Sequence, residues 1–505
     1  MKHWTALPTS TALALCMTGS AAFADVTAQD VWGAWKAQMA KAGYAMTATE
    51  TMSGGTLDVR DIMMDITLPE DEGTVIVTLG EISFVDNADG TVRVELPSVL
   101  PIEFAMNSDQ EGSVVANLEY RTAGMEWTVS GDPDAMTQTQ TAASMTVALA
   151  SLLVEGAAVD LGTMEMTMTN VNFQVATGLG SIMTQIQLGS AQTLSYLVDV
   201  ADPSGSGDRV NMQGSLNELS VNANTNTPDG IDMQNFAAAL KAGFGFSGSF
   251  AHGGGNSHIE IIGDGDEFRA DTSSTGGSVM MSMDANRLVY DLQGKGLKVD
   301  AFTSEMPLPI SFQMAETAMR LGIPLSKSDA LQRVEMALTL GGFTMADMLW
   351  GLFDPTGQLP RDPATIDINL SGDVKVTADL TDEHAMAGMG DQPPGELHNA
   401  QINTLTIRAA GAELTGNGAF TFDNSDLSSF DGMPRPEGML NLMLVGGNGL
   451  LDKLVAMGFV PEDQAMGARM MMGLFAVPGD GEDTLNSTIQ VNEQGHVLAN
   501  GQRLK

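Results

Sequence analysis

Residues 74–96 read TVIVTLGEISFVDNADGTVRVEL, and this stretch decides the predicted fold. Apolar side chains recur at every second position over 75–79 and again, one position out of phase, over 82–84. Period-two recurrence is typical of a strand with one buried face. Because a shift of one position turns every later side chain to the other face, the pattern predicts a bulge near Gly80.

The same pattern continues along the chain. The turn sequence DNADG at 86–90 leads into a second alternating run at 92–96, which predicts an antiparallel meander. Met164, Met166 and Met168 share one strand face, and a phase change before Val171 predicts another bulge. We therefore expect a mainly β fold, β-rich α+β, with long antiparallel sheets and a few docking helices.

Internal similarity predicts a tandem duplication. Residues 39–44 (MAKAGY) resemble residues 239–244 (ALKAGF), and two further matches follow in the same order, at 73–76 with 277–280 and at 95–104 with 305–312. We expect a first β-rich lobe over residues 25–228 and a second over residues 229–505. Each copy is expected to open with a helix.

Several elements outside the meander are predicted from local patterns. Capping-box spacing from Thr27 to Asp30 and an apolar stripe predict a docking helix that ends at Gly43. Helices are also expected over 313–321, 450–457 and 461–475, the last with proline at its first position. Residues 439–445 are expected to form a strand covered on both faces, and residues 382–396, acidic and rich in Pro and Gly, a loop.

Composition restricts the function classes. The 505 residues include 63 Asp and Glu against 23 Lys and Arg, a formal net charge of −40, and 43% are hydrophobic. This hydrophobic content supports a packed core rather than disorder. The charge argues against binding to nucleic acid or to an anionic membrane surface, because both would repel the chain.

The first 24 residues have the features of a secretory signal peptide. A basic start, a short apolar run and Ala22-Phe23-Ala24 precede Asp25, which predicts cleavage between Ala24 and Asp25. Cys16 is the single cysteine, so the mature chain would have no disulfide or thiolate ligand. We expect a periplasmic or secreted protein with no transmembrane segment after cleavage.

The motifs of common catalytic and cofactor sites are missing from the sequence, and we predict no catalytic residue, no cofactor and no metal site. The pair His252 and His258 lacks a third local histidine and fixes no coordination geometry. The acidic clusters at 86–90 and 264–267 are better explained as turns, with weak calcium binding left open.

Methionine is abundant, with 36 residues. Filling of the core is the favoured explanation, because the flexible thioether fits irregular apolar space. An adaptable apolar groove is the first alternative. Copper binding is the second; it would need methionines clustered with histidine, and only His384 with Met386 and Met389 comes close to such a cluster.

Two segments, LWGLFDP at 349–355 and LPRDPAT at 359–365, resemble the bacterial domain-of-unknown-function family numbered 2125. The residues at 24–35 and 499–502 are also similar to it, so the resemblance extends over nearly the whole mature chain. It implies an exported protein and supplies no catalytic residues. In the loop, Trp350, Asp354, Arg361 and Asp362 are the candidate residues, and a structural corner is favoured over a binding loop.

Together these patterns favour a non-enzymatic exported protein that binds lipid or another apolar small molecule in a β-groove. One alternative is a protein-interaction or envelope-assembly module with envelope proteins as partners. The other is a hydrolase with a carboxylate site that the sequence does not identify. The three hypotheses differ in what they predict for bound lipid, for a cross-linked partner and for turnover.

Overall fold

The computed structural model describes residues 25–41, 44–67, 73–108, 112–231, 235–390 and 392–505. The predicted signal peptide, including Ala22 and Ala24, and the predicted helix end at Gly43 lie outside the described residues. Asp25 is exposed at the start of the described chain. None of the described helices is long and apolar enough to cross a membrane.

Most of the described chain is β-strand, which confirms the predicted mainly β fold. The strands before residue 229 are β1 (Ala45–Ser53), β2 (Thr56–Thr67), β3 (Thr74–Leu79), β4 (Ile82–Asp86), β5 (Val92–Glu95), β6 (Val99–Ser108), β7 (Gly112–Ala123), β8 (Glu126–Asp132), β9 (Ala135–Val154), β10 (Ala157–Val159), β11 (Gly162–Gly178), β12 (Ile182–Ala201) and β13 (Arg209–Pro228).

The later strands are β14 (Gly245–His252), β15 (Gly255–Gly263), β16 (Asp266–Ser274), β17 (Gly276–Met283), β18 (Arg287–Thr303), β19 (Met306–Pro324), β20 (Gln332–Met345), β21 (Ala364–Val376), β22 (Gly395–Ala409), β23 (Ala412–Asp423), β24 (Arg435–Val445), β25 (Val477–Pro478), β26 (Thr484–Val491), β27 (Val497–Ala499) and β28 (Gln502–Arg503). The described helices are α1 (Ala28–Lys41), α2 (Phe236–Lys241), α3 (Asp347–Phe353), α4 (Glu383–Ala387), α5 (Gly447–Ala456) and α6 (Glu462–Phe475).

All the strands join one antiparallel sheet, which divides and rejoins twice. Between β2 and β9, one branch passes through β3, β6 and β7, and the other through β4, β5 and β8. Between β13 and β18, one branch passes through β14 and β17, and the other through β15 and β16. From β18 to β24 each strand pairs with its successor in sequence.

The hydrogen-bonded ladder passes without a break through the predicted lobe boundary at 228/229. β13 precedes this boundary and pairs with both β14 and β15, which follow it. The two predicted lobes are therefore parts of one sheet. The duplication itself stays a prediction.

The long strands bend at one level of the sheet, which we call the crease. Residues in the left-handed backbone conformation, with positive φ, interrupt four strands: Asn170 in β11 (φ 47°), Glu218 in β13 (φ 51°), Gly296 in β18 (φ 59°) and Gly342 in β20 (φ 65°). The register places these four residues, and the gap between β14 and β15, in one row across the sheet. The bulge predicted before Val171 is thus at Asn170. Such a bulge bends the strand, and the side chains that follow it point to the opposite face of the sheet.

Helix α1 covers one side of the sheet, which we call the inner face, and forms the main core there. Val31 and Trp32 of the helix pack with Val59, Phe84 and other buried residues of the strands beneath. The Trp35 ring stacks on that of Trp127, with centroids 5.1 Å apart. At its start, the Asp30 carboxylate accepts from the backbone and the hydroxyl of Thr27, as the capping-box spacing predicts.

Four local predictions need correction. Residues 313–321 are not a helix but the centre of β19, which pairs with β18 and β20. The strand at 439–445 is not covered on both faces, because Met439 and Met443 are about two-fifths exposed, at 41% and 42%. Pro461 is the N-cap of α6 rather than its first residue. The segment 382–396 contains the short helix α4.

Candidate functional site

An apolar row crosses the inner face from strand to strand. In an antiparallel sheet, residues directly opposite each other point to the same face. Starting at Phe173 on β11, the successive partners are Gly189, Val221, Phe250, Val279, Leu292, Met319, Leu338, Ile368, Leu405, Gly416 and Leu442. Every residue in this row is apolar, so the inner face carries one continuous apolar surface.

Charged residues of β17–β24 all occupy the opposite, outer face. The alternation places there Arg287, Asp291, Lys295, Lys298, Asp300, Glu316, Arg320, Arg333, Glu335, Asp367, Asp373, Lys375, Glu396, Arg408, Glu413, Asp423, Arg435 and Glu437. Many pair across strands: Arg320 lies 2.9 Å from Asp291, and Arg287 lies 3.1 Å from Glu335. This part of the sheet is therefore amphipathic, and the inner side of β17–β24 carries no charged residue.

Two ion pairs show that the sheet curls around its inner face. Lys241, at the end of α2 and just before β14, lies 2.8 Å from Asp379, just after β21. In sheet order β14, β17, β18, β19, β20 and β21 are neighbours, so a flat sheet would separate the outer two by about 24 Å. Lys41, at the end of α1, likewise lies 2.6 Å from Asp229, beyond β13.

The two helices that close these curls fill them unequally. The 14-residue α1 brings two tryptophans onto the inner face, where Phe84 is 0% and Ile62 1% exposed. The six-residue α2 buries only Ala239 and Leu240. On the inner face of β17–β24, Met319 is 42% and Met336 48% exposed, and no Leu, Ile, Met or Phe there is buried. This part of the apolar surface is left uncovered by the described chain.

Asp354 and Arg361, two of the candidate loop residues, make contacts within the loop and with helix α3. The Asp354 side chain is 1% exposed and accepts from the backbone N–H groups of Leu359 (2.7 Å) and Gln358 (2.9 Å). Burial by itself raises the pKa of Asp354, but these backbone donors outweigh it, and the pKa lies below its ordinary value. Arg361 pairs with Asp347 at the start of α3. These contacts are consistent with a structural corner, and the choice between a corner and a binding loop stays a prediction.

Trp350 and Asp362 are the other two loop candidates. The indole N–H of Trp350 is buried and has no hydrogen-bond partner among the described residues. Asp362 is exposed and lies near Arg408, whose pKa it helps to raise after the larger effect of Glu413. The four candidates do not converge on one pocket.

The histidines and acidic turns are explained by local contacts. His252 and His258 lie on opposite faces, and His258 Nδ1 is 2.7 Å from the Asp271 carboxylate. Asp86 accepts from the N–H of Ala28 at the start of α1, and Asp266 accepts from the Ser304 hydroxyl. Within the described residues, no group of three His, Cys, Asp or Glu is arranged to hold a metal ion.

The uncovered inner face was anticipated only in outline. The abundance of methionine left an apolar groove open as an alternative to the favoured filling of the core, and no local pattern identified β17–β24 as an uncovered part of the surface. That distinction depends on the unequal lengths of α1 and α2. The available sequence signal for the curls was the pair Lys41 and Lys241, which occupy equivalent positions in the two similar segments.

Comparison with known proteins gives one match. The model of a family described as "Uncharacterized protein conserved in bacteria (DUF2125)" matches residues 250–502, half of the chain. This range includes β17–β24 and the loop at 349–365, and it does not include residues 24–35. No curated protein and no solved structure matches the chain.

Proposed function

The chain belongs to the bacterial DUF2125 family of uncharacterized proteins, and we propose that it binds a lipid or another elongated apolar molecule along the inner face of β17–β24. The observation that carries this proposal is the segregation of charge. Every charged residue of these strands is on the outer face, while the apolar inner face is left partly exposed. Large exposed apolar surfaces of soluble proteins commonly mark binding sites.

The dimensions of the surface favour a chain-like ligand. Measured along the curled sheet, eight neighbouring strands spaced about 4.8 Å apart give an arc about 34 Å long. The length of this arc is close to the thickness of the hydrocarbon core of a bilayer, about 30 Å, so a flexible acyl chain that follows the curl would fit along it. Covering about 400 Å² of apolar surface contributes on the order of 10 kcal/mol before the costs of ordering the ligand.

The filled curl around α1 supports the same proposal. There, aromatic side chains of the chain itself occupy the inner face. In β17–β24 a bound apolar ligand would take the corresponding place. Binding rather than catalysis is proposed because this surface offers mainly apolar contact and no charged side chain. The predicted signal peptide supports a site of action in the periplasm or outside the cell.

A matched pair of methionines provides the test. Met319 on the inner face and Met443 on the outer face are both 42% exposed and both lie in central strands. The mature chain is purified, delipidated and titrated with a fluorescent fatty acid, and native mass spectrometry identifies co-purifying lipid. Met319→Gln is expected to weaken binding and Met443→Gln to leave it unchanged. Empty purified protein with no binding of the probe would refute the proposal.

A role as a protein-interaction module is the second candidate, and helix α6 favours it. Met466 and Met470 lie one helical turn apart on α6 and are 66% and 72% exposed. Methionine-rich surfaces adapt to varied partners. Cross-linking in the periplasm from position 470 should capture one defined protein. The hydrolase alternative stays a prediction, for which substrate screening is the test.

A further inference from the structure

The inner face beneath α1 is packed with aromatic side chains, but a cavity remains at the edge of this packing, which we call the α1 cavity. Its volume is about 310 Å³. Side chains from the helix and from β1–β4, β9, β11 and β12 line it. A cavity of about 150 Å³ can hold a benzene ring, so the α1 cavity is large enough for a two-ring molecule.

Apolar and amide side chains line the α1 cavity. Trp32, Trp35 and Phe173 contribute aromatic rings, and Met, Ile and Leu side chains of β1–β4 add aliphatic contact. Hydrogen-bonding groups come from four glutamines: Gln38, Gln138, Gln140 and Gln185. An amide can both donate and accept a hydrogen bond. Because pockets for small molecules commonly combine an apolar lining with a few polar groups, this lining suits an apolar molecule with a hydrogen-bonding group.

Three of these glutamines form a polar wall on the inner face, which we call the amide wall. Gln138 and Gln140 alternate along β9, and Gln185 follows on β12, with β11 between the two strands. The side-chain N–H of Gln187 donates to the side-chain oxygen of Gln185 at 2.8 Å. This hydrogen bond holds the Gln185 amide in position at the cavity.

Two buried polar groups lie beside the amide wall without a hydrogen-bond partner. Among the described residues, neither the indole N–H of Trp127 nor the hydroxyl of Thr177 has one. Trp127 is directly opposite Gln140 in the ladder, and Thr177, only 8% exposed, is directly opposite Gln185. Buried polar groups nearly always have a partner. Two exceptions beside one wall indicate a place where hydrogen bonds to a ligand can form, directly or through the glutamines.

The surroundings of the α1 cavity favour an uncharged ligand. None of the lining residues that the structure describes is charged. Lys36 and Glu50 lie beside Trp32, whose indole N–H donates to Glu50, but they pair with each other at 2.6 Å. Moving a charge out of water without a partner costs far more than moving an uncharged polar group. A hydroxyl or carbonyl group can use the amide wall without that cost.

We propose that the α1 cavity binds a compact, uncharged ring compound with a hydroxyl or carbonyl group. The aromatic side chains pack against its rings, and the amides of Gln140 and Gln185 bond to its oxygen. This site is separate from the surface of β17–β24. Measured along the sheet, Phe173 at the cavity and Val279 on β17 are four strand spacings, about 19 Å, apart. The inference therefore does not rest on the proposed function.

Three probes with the same two-ring body test the site: 2-naphthol, naphthalene and the anion 2-naphthoate. Calorimetric titration of the mature chain should show the tightest binding for 2-naphthol. Gln140→Leu is expected to weaken 2-naphthol roughly threefold to tenfold and to leave naphthalene unchanged. Gln174→Leu is the matched control, because Gln174 lies between Phe173 and Val175 on the opposite face of β11. Met319→Gln, which tests the fatty-acid surface, should also leave 2-naphthol binding unchanged.

The indole N–H signals of isotope-labelled tryptophan provide a readout that needs no variant at the site. Addition of 2-naphthol should move the signal of Trp127. The buried indole N–H of Trp350 on α3 also has no partner among the described residues, so its signal is the internal control and should stay in place. Equal affinity for all three probes, no binding of 2-naphthol, or an unmoved Trp127 signal would overturn the proposal. Circular dichroism of each variant verifies that the fold is retained.

Discussion

The ammonium group of Lys241 lies 2.8 Å from the Asp379 carboxylate, although the two residues flank a six-strand section of the sheet. An equivalent contact at 2.6 Å joins Lys41 to Asp229 across the section closed by α1. Lys41 and Lys241 hold the same position in the two similar segments of the sequence. The acidic partners Asp229 and Asp379 do not correspond at the offset of the two segments, and the duplication stays a prediction.

Replacing Lys241 should affect ligand exchange more than stability. The Lys241 side chain is 52% exposed, and exposed ion pairs contribute little to the free energy of unfolding. Lys241→Ala is therefore expected to leave the melting temperature nearly unchanged and to speed dissociation of a bound fatty acid, measured by stopped-flow displacement. Lys298→Ala on the outer face is the control. A large fall in the melting temperature would show that the pair has another role.

The contact should also be insensitive to pH in the neutral range. The hydrogen bond to Asp379, and then its charge, raise the pKa of Lys241 above its ordinary value of 10.5. A raised pKa of a basic group means that its stabilising effect is complete below the unfolded pKa and is lost as the pH rises through the folded one. Dissociation rates should thus stay constant from pH 6 to about 9. A change in that interval would point to another group.

The Asp354 corner should loosen only in acid. Because the folded pKa of Asp354 is depressed, its contribution is present above the ordinary value of 3.8 and is lost as the pH falls through the folded pKa. Hydrogen exchange at the amides of Gln358 and Leu359 should be slow at pH 5. Asp354→Ala should make it fast and lower the melting temperature, because two donors lose their acceptor.

Asp362→Ala is the control for this loop, since Asp362 is exposed. It should leave exchange at both amides unchanged. Equal protection in the Asp354→Ala variant would mean that the corner is held by other contacts. The fluorescence of Trp350, which lies on the adjacent helix α3, provides an independent readout of the same transition.

Side-chain truncations on the inner face should differ sharply in how much they lower the free energy of unfolding. Phe84 is fully buried beneath α1, so Phe84→Ala is expected to lower the free energy of unfolding by about 3–5 kcal/mol. Met319 lies on the same face but is 42% exposed. Met319→Ala should cost less than about 1 kcal/mol in the delipidated protein. Urea unfolding measures both, and equal costs would contradict an uncovered surface at β19.

Adding a side chain at Gly248 should reduce ligand capacity without unfolding the sheet. A Cβ at Gly248 would lie 3.8 Å from the Asn222 carbonyl oxygen and 3.9 Å from the Ala223 Cβ, which is ordinary contact. Gly248 faces inward beside Met281. Gly248→Leu is expected to keep the melting temperature and to lower the amount of bound fatty acid, with Gly248→Ala intermediate. Unchanged binding would place the ligand farther from β14.

Sequence patterns predicted the parts of the fold that depend on neighbours in the chain. The alternation at 74–96 gave β3, β4 and β5. At 313–321 the residues QMAETAMRL include good helix formers, yet strands on both sides pair with this segment as part of β19. Long-range pairing overrides local propensity here, because each backbone group gains a partner in the sheet.

The candidate surface was harder to predict for a related reason. Assignment of a residue to the inner or outer face requires the register of each strand, and the crease reverses the phase at residues such as Asn170 and Gly342. The contact of Lys241 with Asp379 depends on curvature, which no short segment encodes. The loop at 349–365 was recognised from its own residues, because Asp354 bonds to groups only a few positions away.

The way in which β18–β24 follow one another has a consequence for how such proteins vary in evolution. Each strand is hydrogen-bonded to its predecessor in sequence, so one added hairpin would lengthen the inner face by two strand spacings, about 10 Å, and would replace one existing pair only. A single inserted residue would instead turn all the side chains that follow it in the same strand to the opposite face of the sheet. Relatives should therefore differ in whole hairpins, and the number of hairpins would set the length of the molecule that each can accommodate.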